Sequence, residues 1–318
     1  NWNGHADTKR CVSALQRQTY NNLKVLVVDN GSTDQSLEAL KGGIDNESIL
    51  SLPINRGFAG GMNCGIHLAI NRGAHYVWLV NNDAVPQEDA LERLIDACAT
   101  RPDVGLVSPA VRDPVKGHSS QLGLGRFDLS VPMHEYTVDL AIASRWQRDD
   151  PHHVTLAGTA LLISKRLVNA IGALDERFFA YWEDTDYSIR SALAGFRNIL
   201  VPGAIVDHPN KEPGSAAARV APHYYYFMAR NEIFLWRKFT SGRRFIKATL
   251  WLLRRQLKQI SIMPNYTEGV QAIISGVIDG LMGVGGASRV RNSFPVHIIM
   301  FVILRTGALW CRTWNARG

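Results

Sequence analysis

Glu183, Asp184 and Asp186 set three carboxylates within four positions, directly after Tyr181 and Trp182, in the stretch YWEDTDYSIR. An acid at a helix start can cap it and complements its dipole, but capping needs only one. A carboxylate partly shielded by aromatic walls is suited to proton transfer. Other polar groups stand where apolar runs stop. Asp29 and Asn30 follow LKVLVV in the turn DNGSTD, whose carboxylate can accept hydrogen bonds from a base or ribose. Asn82 and Asp83 follow YVWLV, and His208 follows an apolar run in VDHP. An acid at the mouth of a buried strand suits Mg²⁺ or Mn²⁺, which takes oxygen ligands and lets substrate phosphates complete its shell. Simpler roles stay open for each: a good turn for Asp-Asn-Gly, a helix cap for Asp83, a structural histidine for His208.

The stretch NRGFAGGMNCG contributes Asn55, Gly57, Phe58, Gly60, Gly61 and Asn63. Its glycines let backbone approach phosphate or sugar oxygens at a strand-to-helix junction, with tight helix packing as the alternative. After Gly57 the next glycines are Gly60 and Gly61, so the GxGxxG spacing of a dinucleotide dehydrogenase is not met.

Groups like these converge when they sit at the ends of strands in an open α/β sheet. Short apolar runs at 23–28, 48–52 and 76–80 predict buried strands, and alternation with helical patterns predicts a mostly parallel sheet. Met62, Ile66 and Ile70 form a helical stripe closed by Gly73; Leu91, Leu94, Ile95 and Cys98 form another, opened by Pro86. Ile189, Leu193 and Phe196 predict a helix behind the acidic cluster, with Gly195 near its end. Residues 112–151 have weak periodicity and predict an irregular excursion or lid. VTLAGTALLIS predicts one strand, and RNILVPGAIVDH two short strands around Pro202 and Gly203.

The chain has 318 residues, is 46% hydrophobic and carries a net charge of +7. Disorder is excluded by that composition, and one large or two smaller domains fit the length. From Arg237 onward there are thirteen Lys/Arg against two Asp/Glu, so the basic character belongs to the tail. In RRFIKATLWLLRRQLKQI, Ile246, Leu250, Leu253, Leu257 and Ile260 share a helical face beside Lys247, Arg254 and Lys258. A basic amphipathic helix of this kind suits an anionic membrane surface; packing on the core is the alternative. Nucleic acid is disfavoured, because basic and aromatic residues are not interleaved as on a stacking platform. Neither VQAIISGVIDGLMGV nor FPVHIIMFVILRTGALW reaches the length of a membrane span. Cys11, Cys64, Cys98 and Cys311 show no zinc or CxxC spacing and read as reduced thiols of a cytosolic protein, and no secretory leader opens the sequence.

Taken in order, VDNGSTD, NRGFAGG, NNDAV, FFAYWEDTDYSIR and GAIVDH resemble the inverting glycosyltransferases of family two, which have the GT-A fold. The likeness spans roughly residues 1 to 240, including the aromatic YYYFMARNEIFLWRK, and is greatest to bacterial rhamnosyltransferases and galactofuranosyltransferases that build surface polysaccharides on lipid carriers. It implies a catalytic domain over 1–238, and the basic amphipathic pattern beyond it predicts a membrane-associating helical tail over 239–318. It also implies a dTDP- or UDP-sugar donor, a glycan or lipid-linked acceptor and a place on the cytoplasmic membrane face. The roles implied are Asp184 as general base, Asp83 and His208 as metal ligands, and Asp29, Asn30, Asn55, Gly57, Phe58, Gly60, Gly61, Asn63 and Asn82 around the donor. Tyr181, Trp182 and Glu183 would meet the acceptor. Asn81 stands where many members have the first acid of a DxD motif. The family usually begins with an apolar strand ahead of a motif like NWNG, here residues 1–4, so a first strand is expected to be missing. A nucleotidyltransferase and a noncatalytic membrane scaffold are the rival readings; the first lacks a basic glycine-rich phosphate loop, the second leaves the acids at strand ends unexplained.

Overall fold

The computed structural model describes residues 1–114, 123–130, 133–209, 221–261 and 267–290. The apolar run at 294–310, Cys311 and the side chain of Ile260 lie outside what is described. Two compact units form, Asn1–Glu212 and Pro213–Gly318. The sequence puts the boundary at 238, whereas the aromatic segment after the acidic cluster goes with the second unit.

In the first unit, helix α1 (His5–Gln16) precedes β1 (Val27–Asp29), α2 (Ser36–Lys41) and β2 (Ile49–Ser51), with β1 and β2 parallel. On the side of β1 away from β2, the Asn1 amine donates to the Val28 carbonyl (2.7 Å) and the Asn30 N–H donates to the Asn1 carbonyl (2.8 Å). Next come α3 (Gly57–Asn71), β3 (Tyr76–Val80), β4 (Val85–Pro86), α4 (Ala90–Cys98) and β5 (Val104–Arg112). A hairpin of β6 (Leu124–Asp128) and β7 (Met133–Thr137) leads to α5 (Leu140–Asp149), β8 (Val154–Leu156), β9 (Ala160–Ser164) and α6 (Lys165–Ile171). Helix α7 (Glu183–Leu193) and strand β10 (Arg197–Asp207) complete the unit.

The main sheet has the order β3-β9-β5-β10-β4, and it is mixed where the sequence predicts mostly parallel. Only β10 on β5 runs parallel; β9 runs antiparallel to both β3 and β5, and β4 to β10. Alternation along β9 builds two apolar layers. Leu161 and Ile163 pack with Ile66 of α3 and Leu106, while Leu162 packs with Leu91, Leu94 and Cys98 of α4. Both predicted helical stripes are therefore core faces. In α7, Ile189 is buried but Leu193 is exposed, so the expected stripe ends early.

Several boundaries differ from expectation for local reasons. Pro86 opens no helix: it lies in edge strand β4, opposite Val206, where a missing N–H costs no ladder bond, and α4 starts at Ala90. RNILVPGAIVD is one strand rather than two, with a register shift between Val201 and Ile205 that absorbs Pro202 and Gly203. VTLAGTALLIS breaks into β8 and β9, which belong to different sheets. The predicted excursion is ordered in its described part, where β6, β7 and β8 form an antiparallel sheet and α5 packs Ala143 and Trp146 into the core.

The second unit contains α8 (Pro222–Phe239), α9 (Gly242–Ser261) and α10 (Thr267–Met282). Ala229, Val270 and Ile273 join α8 to α10, and a side chain at Gly276 would overlap the Tyr226 carbonyl, so the helices approach closely there. In α9 the buried side is Ala248, Leu252 and Gln256. The apolar stripe is outward only in its first half: Ile246 is 58% exposed and Leu250 51%, with Trp251 alongside, whereas Leu253 and Leu257 are half-buried. Among the described residues no helix is long and apolar enough to cross a membrane.

Candidate active site

The ends of β1 and β3 are joined by side chains. Asp29 is buried and accepts from Ser32 Oγ (2.6 Å), Ser32 N–H (3.2 Å) and Asn1 Nδ2 (2.7 Å). Thr8 Oγ1 donates to Asn1 Oδ1 (2.8 Å) and accepts from Asn82 Nδ2 (3.1 Å), so Asp29 and Asn82 lie at two ends of one hydrogen-bonded chain.

Asn30 and Asn55 lock the neighbouring loop. Asn30 Nδ2 donates to the Gly57 carbonyl (2.9 Å) and Asn55 Oδ1 (3.2 Å), its Oδ1 accepts from Arg56 N–H (3.0 Å), and Asn55 Oδ1 accepts from Gly57 N–H (2.7 Å). Gly57 has φ +74°, and a Cβ there would overlap the Phe179 carbonyl, so no larger residue fits. Cβ atoms built on Gly60 and Gly61 would come within 2.7 Å of the Arg56 side chain and 2.9 Å of the Asn30 amide. These glycines bring protein to protein, as helix packing requires. Phe58 packs on the core, and the buried Asn63 amide bonds both the N–H and the carbonyl of Leu174 (3.0 and 2.9 Å) and Glu176 Oε1 (3.1 Å). Start of α3 and segment 174–182 are thereby held together.

That segment turns sharply into α7. Phe179, Tyr181 and Trp182 all have φ between 65° and 71°, a region costly for side-chain-bearing residues, and Ala180 N–H donates to the Phe178 carbonyl (2.8 Å). Trp182, rather than an acid, is the N-cap, and its carbonyl accepts from Asp186 N–H (2.9 Å). The three acids divide. Asp186 is buried against Arg190 (2.8 Å), which also holds the Ile171 and Ala173 carbonyls. Glu183 is 5% exposed, and its Oε2 has no hydrogen-bond partner. Asp184 is half-buried; its Oδ2 accepts from Gly158 N–H (2.7 Å) and its Oδ1 from Thr185 N–H (2.6 Å).

Burial raises the Asp184 pKa above the ordinary carboxylate value, while the Gly158 and Thr185 hydrogen bonds oppose the rise. Burial, then the neighbouring Asp184 charge, pushes Glu183 well above its usual value. Both carboxyls are thus shifted toward the protonated form, and hydrogen bonds from Gly158 and Thr185 favour the charged form of Asp184. The residue after Gly158 completes the junction, since the Thr159 carbonyl accepts from Asn81 N–H (2.9 Å). The 157–159 loop thus touches both Asp184 and the turn carrying Asp83.

Asp83 Oδ1 lies 3.2 Å from His208 Nε2, both side chains largely buried. The other acid of VDHP is engaged: Asp207 accepts from Arg112 Nε (2.5 Å) and Arg112 Nη2 (2.7 Å). Asn81 Oδ1 and His208 Nδ1 are buried without partners. Among the described residues there is no cluster of three metal-ligating His, Cys, Asp or Glu side chains. One carboxylate and one imidazole still fit a divalent ion that takes its remaining ligands from substrate phosphates and water.

The roles of Gly158, Thr159 and Thr8 escape sequence reading, because two act through backbone atoms and the third through a relay. The only signal for the loop is Gly158 interrupting an apolar run.

A mixed sheet with flanking helices and polar groups gathered at its strand ends is the GT-A glycosyltransferase architecture. The mannosyltransferase PcManGT from Pyrobaculum calidifontis, solved in complex with GDP-Man and Mn²⁺, shares the fold with a TM-score of 0.54 at 17% identity, covering 99% of this chain and 81% of that one. TarS 1-349 of S. aureus, in complex with UDP-GlcNAc, does so at 0.53 and 18% identity, covering 89% and 79%. The chain belongs to glycosyl transferase family 2, whose model matches residues 2–171. It is 28% identical over 259 residues to the N-acetylglucosaminyl-diphospho-decaprenol L-rhamnosyltransferase of Mycobacterium tuberculosis, covering 72% of this chain and 82% of the relative. With the dTDP-rhamnosyl transferase RfbF of Shigella flexneri it shares 23% identity over 275 residues, covering 84% and 89%. The family match stops before Asp184 and His208.

Proposed function

We propose that this glycosyltransferase moves a sugar, rhamnose being the first choice, from a dTDP- or UDP-linked donor to a hydroxyl of a glycan or lipid-linked acceptor, with inversion, in bacterial surface polysaccharide synthesis. The names of its relatives support the donor and acceptor classes. The observation that carries the chemistry is the 157–159 loop, which ties Asp184 to the turn bearing Asp83 through two backbone hydrogen bonds.

In this reading Asp184 is the general base. It takes the proton of the acceptor hydroxyl as that oxygen attacks the anomeric carbon from the side opposite the leaving diphosphate, a single displacement that inverts the centre. The Gly158 and Thr185 N–H groups aim the carboxylate and favour its charged form. Tyr181 and Trp182 wall the acceptor side. Asn30, Asn55 and Gly57 shape the donor loop, with Asp29 and Asn82 at the strand ends and Phe58, Gly60, Gly61 and Asn63 supporting it. Asp83 and His208 would hold Mg²⁺ or Mn²⁺, which when bound supplies charge neutralisation for the leaving diphosphate.

The outward stripe of α9, flanked by Arg243, Arg244, Lys247, Arg254 and Lys258, supports binding to an anionic membrane surface at the cytoplasmic face, where a lipid-linked acceptor would be met. The test is transfer from a panel of dTDP-, UDP- and GDP-sugars to N-acetylglucosaminyl-diphospho-polyprenol, with product configuration read by NMR. Release of dTDP with an inverted product is expected. Retention of configuration, or no transfer from any donor, would overturn the reading.

A further inference from the structure

The small β6–β7–β8 sheet has two faces, and Trp182, two residues before the candidate base, packs on one of them through the His134 ring, with centroids 5.5 Å apart. The other face is different. Arg126 of β6 stands opposite Glu135 of β7, and strand alternation turns both away from the side that carries His134. Helix α5 packs there: Trp146 is buried, and the Arg126 guanidinium carbon lies 5.0 Å from its ring centre. Between hairpin and helix is a cavity of about 380 Å³, lined by Trp146 and Ile142 and rimmed by Arg126, Glu135, Arg145, Asp149 and Asp150. That is the size of a small-molecule pocket.

The rim keeps hydrogen-bonding capacity on both sides of each ion pair. Arg126 places both Nε and Nη2 on Glu135 Oε1 (3.1 and 2.6 Å), which leaves Arg126 Nη1 and Glu135 Oε2 for a ligand. Asp149 takes Arg148 (2.8 Å), and Asp150 takes His153. Arg145 is exposed and, among the described residues, has no ion-pair or hydrogen-bond partner. Three arginines, Arg126, Arg145 and Arg148, balance three acids, Glu135, Asp149 and Asp150, so the cavity selects neither an anion nor a cation. Donors and acceptors alternating around an indole suit neighbouring hydroxyls on a sugar ring, each of which can donate to a carboxylate oxygen and accept from a guanidinium N–H. We infer that this cavity binds a neutral saccharide, at a site on the opposite face of the small sheet from Trp182. The inference goes beyond glycosyl transfer and does not need Asp184 to be the base.

The experiment irradiates the full chain with a diazirine-tagged methyl rhamnoside and maps the labelled peptides by mass spectrometry. Label is expected within residues 126–149, suppressed by excess untagged methyl rhamnoside and unaffected by inorganic phosphate at the same concentration. Arg145→Ala removes an exposed side chain, and Glu135→Gln keeps an acceptor for Arg126 while removing the charge. Each should cut labelling there about tenfold, the size of a lost charge-assisted hydrogen bond, and leave the melting temperature within a few degrees of wild type. No label in this segment, or label that both variants leave at the wild-type level, would overturn the site. Suppression by phosphate as strong as by the sugar would make the cavity an anion pocket and overturn it equally. Labelling as expected in a protein that transfers no sugar would sink the transfer reading and leave this site standing.

Discussion

Gly158 N–H donates a 2.7 Å hydrogen bond to Asp184 Oδ2, across 26 positions of sequence. The contact is close throughout, because a Cβ on Gly158 would sit 3.1 Å from Asp184 Cβ. It orients a carboxylate that also accepts from Thr185 N–H, and the residue stays half-exposed. A base is effective when it is held in one rotamer and can still reach a proton.

Asp184→Asn preserves the side chain's size and loses its proton affinity. Turnover should fall at least about a hundredfold, with donor affinity nearly unchanged, as measured by steady-state kinetics and by calorimetry with the nucleotide sugar. Since burial raises the Asp184 pKa, kcat/KM should drop as pH falls through a value above that of a free aspartate. A normal rate in the variant would remove Asp184 from the chemistry.

Asp83 and Asp207 stand at neighbouring strand ends but have different partners, His208 for the first and Arg112 for the second. Asp83→Ala should abolish the gain in nucleotide-diphosphate affinity on adding Mn²⁺, and His208→Ala should reduce it. Asp207→Asn, which disrupts a bidentate ion pair, should lower the melting temperature and leave the Mn²⁺ effect in place. Titration calorimetry with dTDP, with and without Mn²⁺ and after EDTA, reads all three. An unchanged Mn²⁺ effect in Asp83→Ala would dismiss that residue as a ligand.

Much of this was legible where residue type alone decides the outcome. YVWLV forms a strand with the predicted bounds because four of its five residues are β-branched or aromatic, and the α3 and α4 stripes are core because their spacing leaves no other face. The β6–β7 hairpin was hidden because Arg126 and Glu135 pair across it and Gly125, His134 and Tyr136 interrupt any apolar alternation. Left-handed backbone at Phe179, Tyr181 and Trp182 has no residue signature at all, since tertiary packing imposes it against preference. In α9 the amphipathic pattern was plain, but its direction was not. The helix buries Ala248, Leu252 and Gln256, leaves Ile246, Leu250 and Trp251 exposed and half-buries Leu253 and Leu257.

The exposed Ile246, Leu250 and Trp251 make a prediction about membranes. Replacing Leu250 and Trp251 together by Glu should abolish flotation with vesicles containing phosphatidylglycerol while leaving the circular dichroism spectrum and thermal midpoint unchanged, because neither side chain is in the core. Wild-type binding should weaken with salt and with neutral lipid, each basic residue near the surface contributing about 1 kcal/mol. Equal flotation of wild type and variant would leave the stripe without a membrane role.

Glu183 makes the sharpest test of the buried pair, because its pKa shift has a definite thermodynamic sign. Its folded pKa is raised well above the ordinary value, first by burial and second by Asp184, so the folded state binds the proton more tightly than the unfolded chain. Stability linked to this group is therefore fully present below the unfolded glutamate pKa, about 4.3, and is lost as pH rises from there to the folded value. Glu183→Gln removes the titration while keeping the shape. Its stability relative to wild type should rise with pH across that window and then level off, whatever the fixed cost of burying an amide. Urea unfolding of both proteins from pH 4 to pH 8 measures the difference. A pH-independent gap would mean that Glu183 titrates normally in the folded protein, and the upward shift by burial and by Asp184 would have to be abandoned.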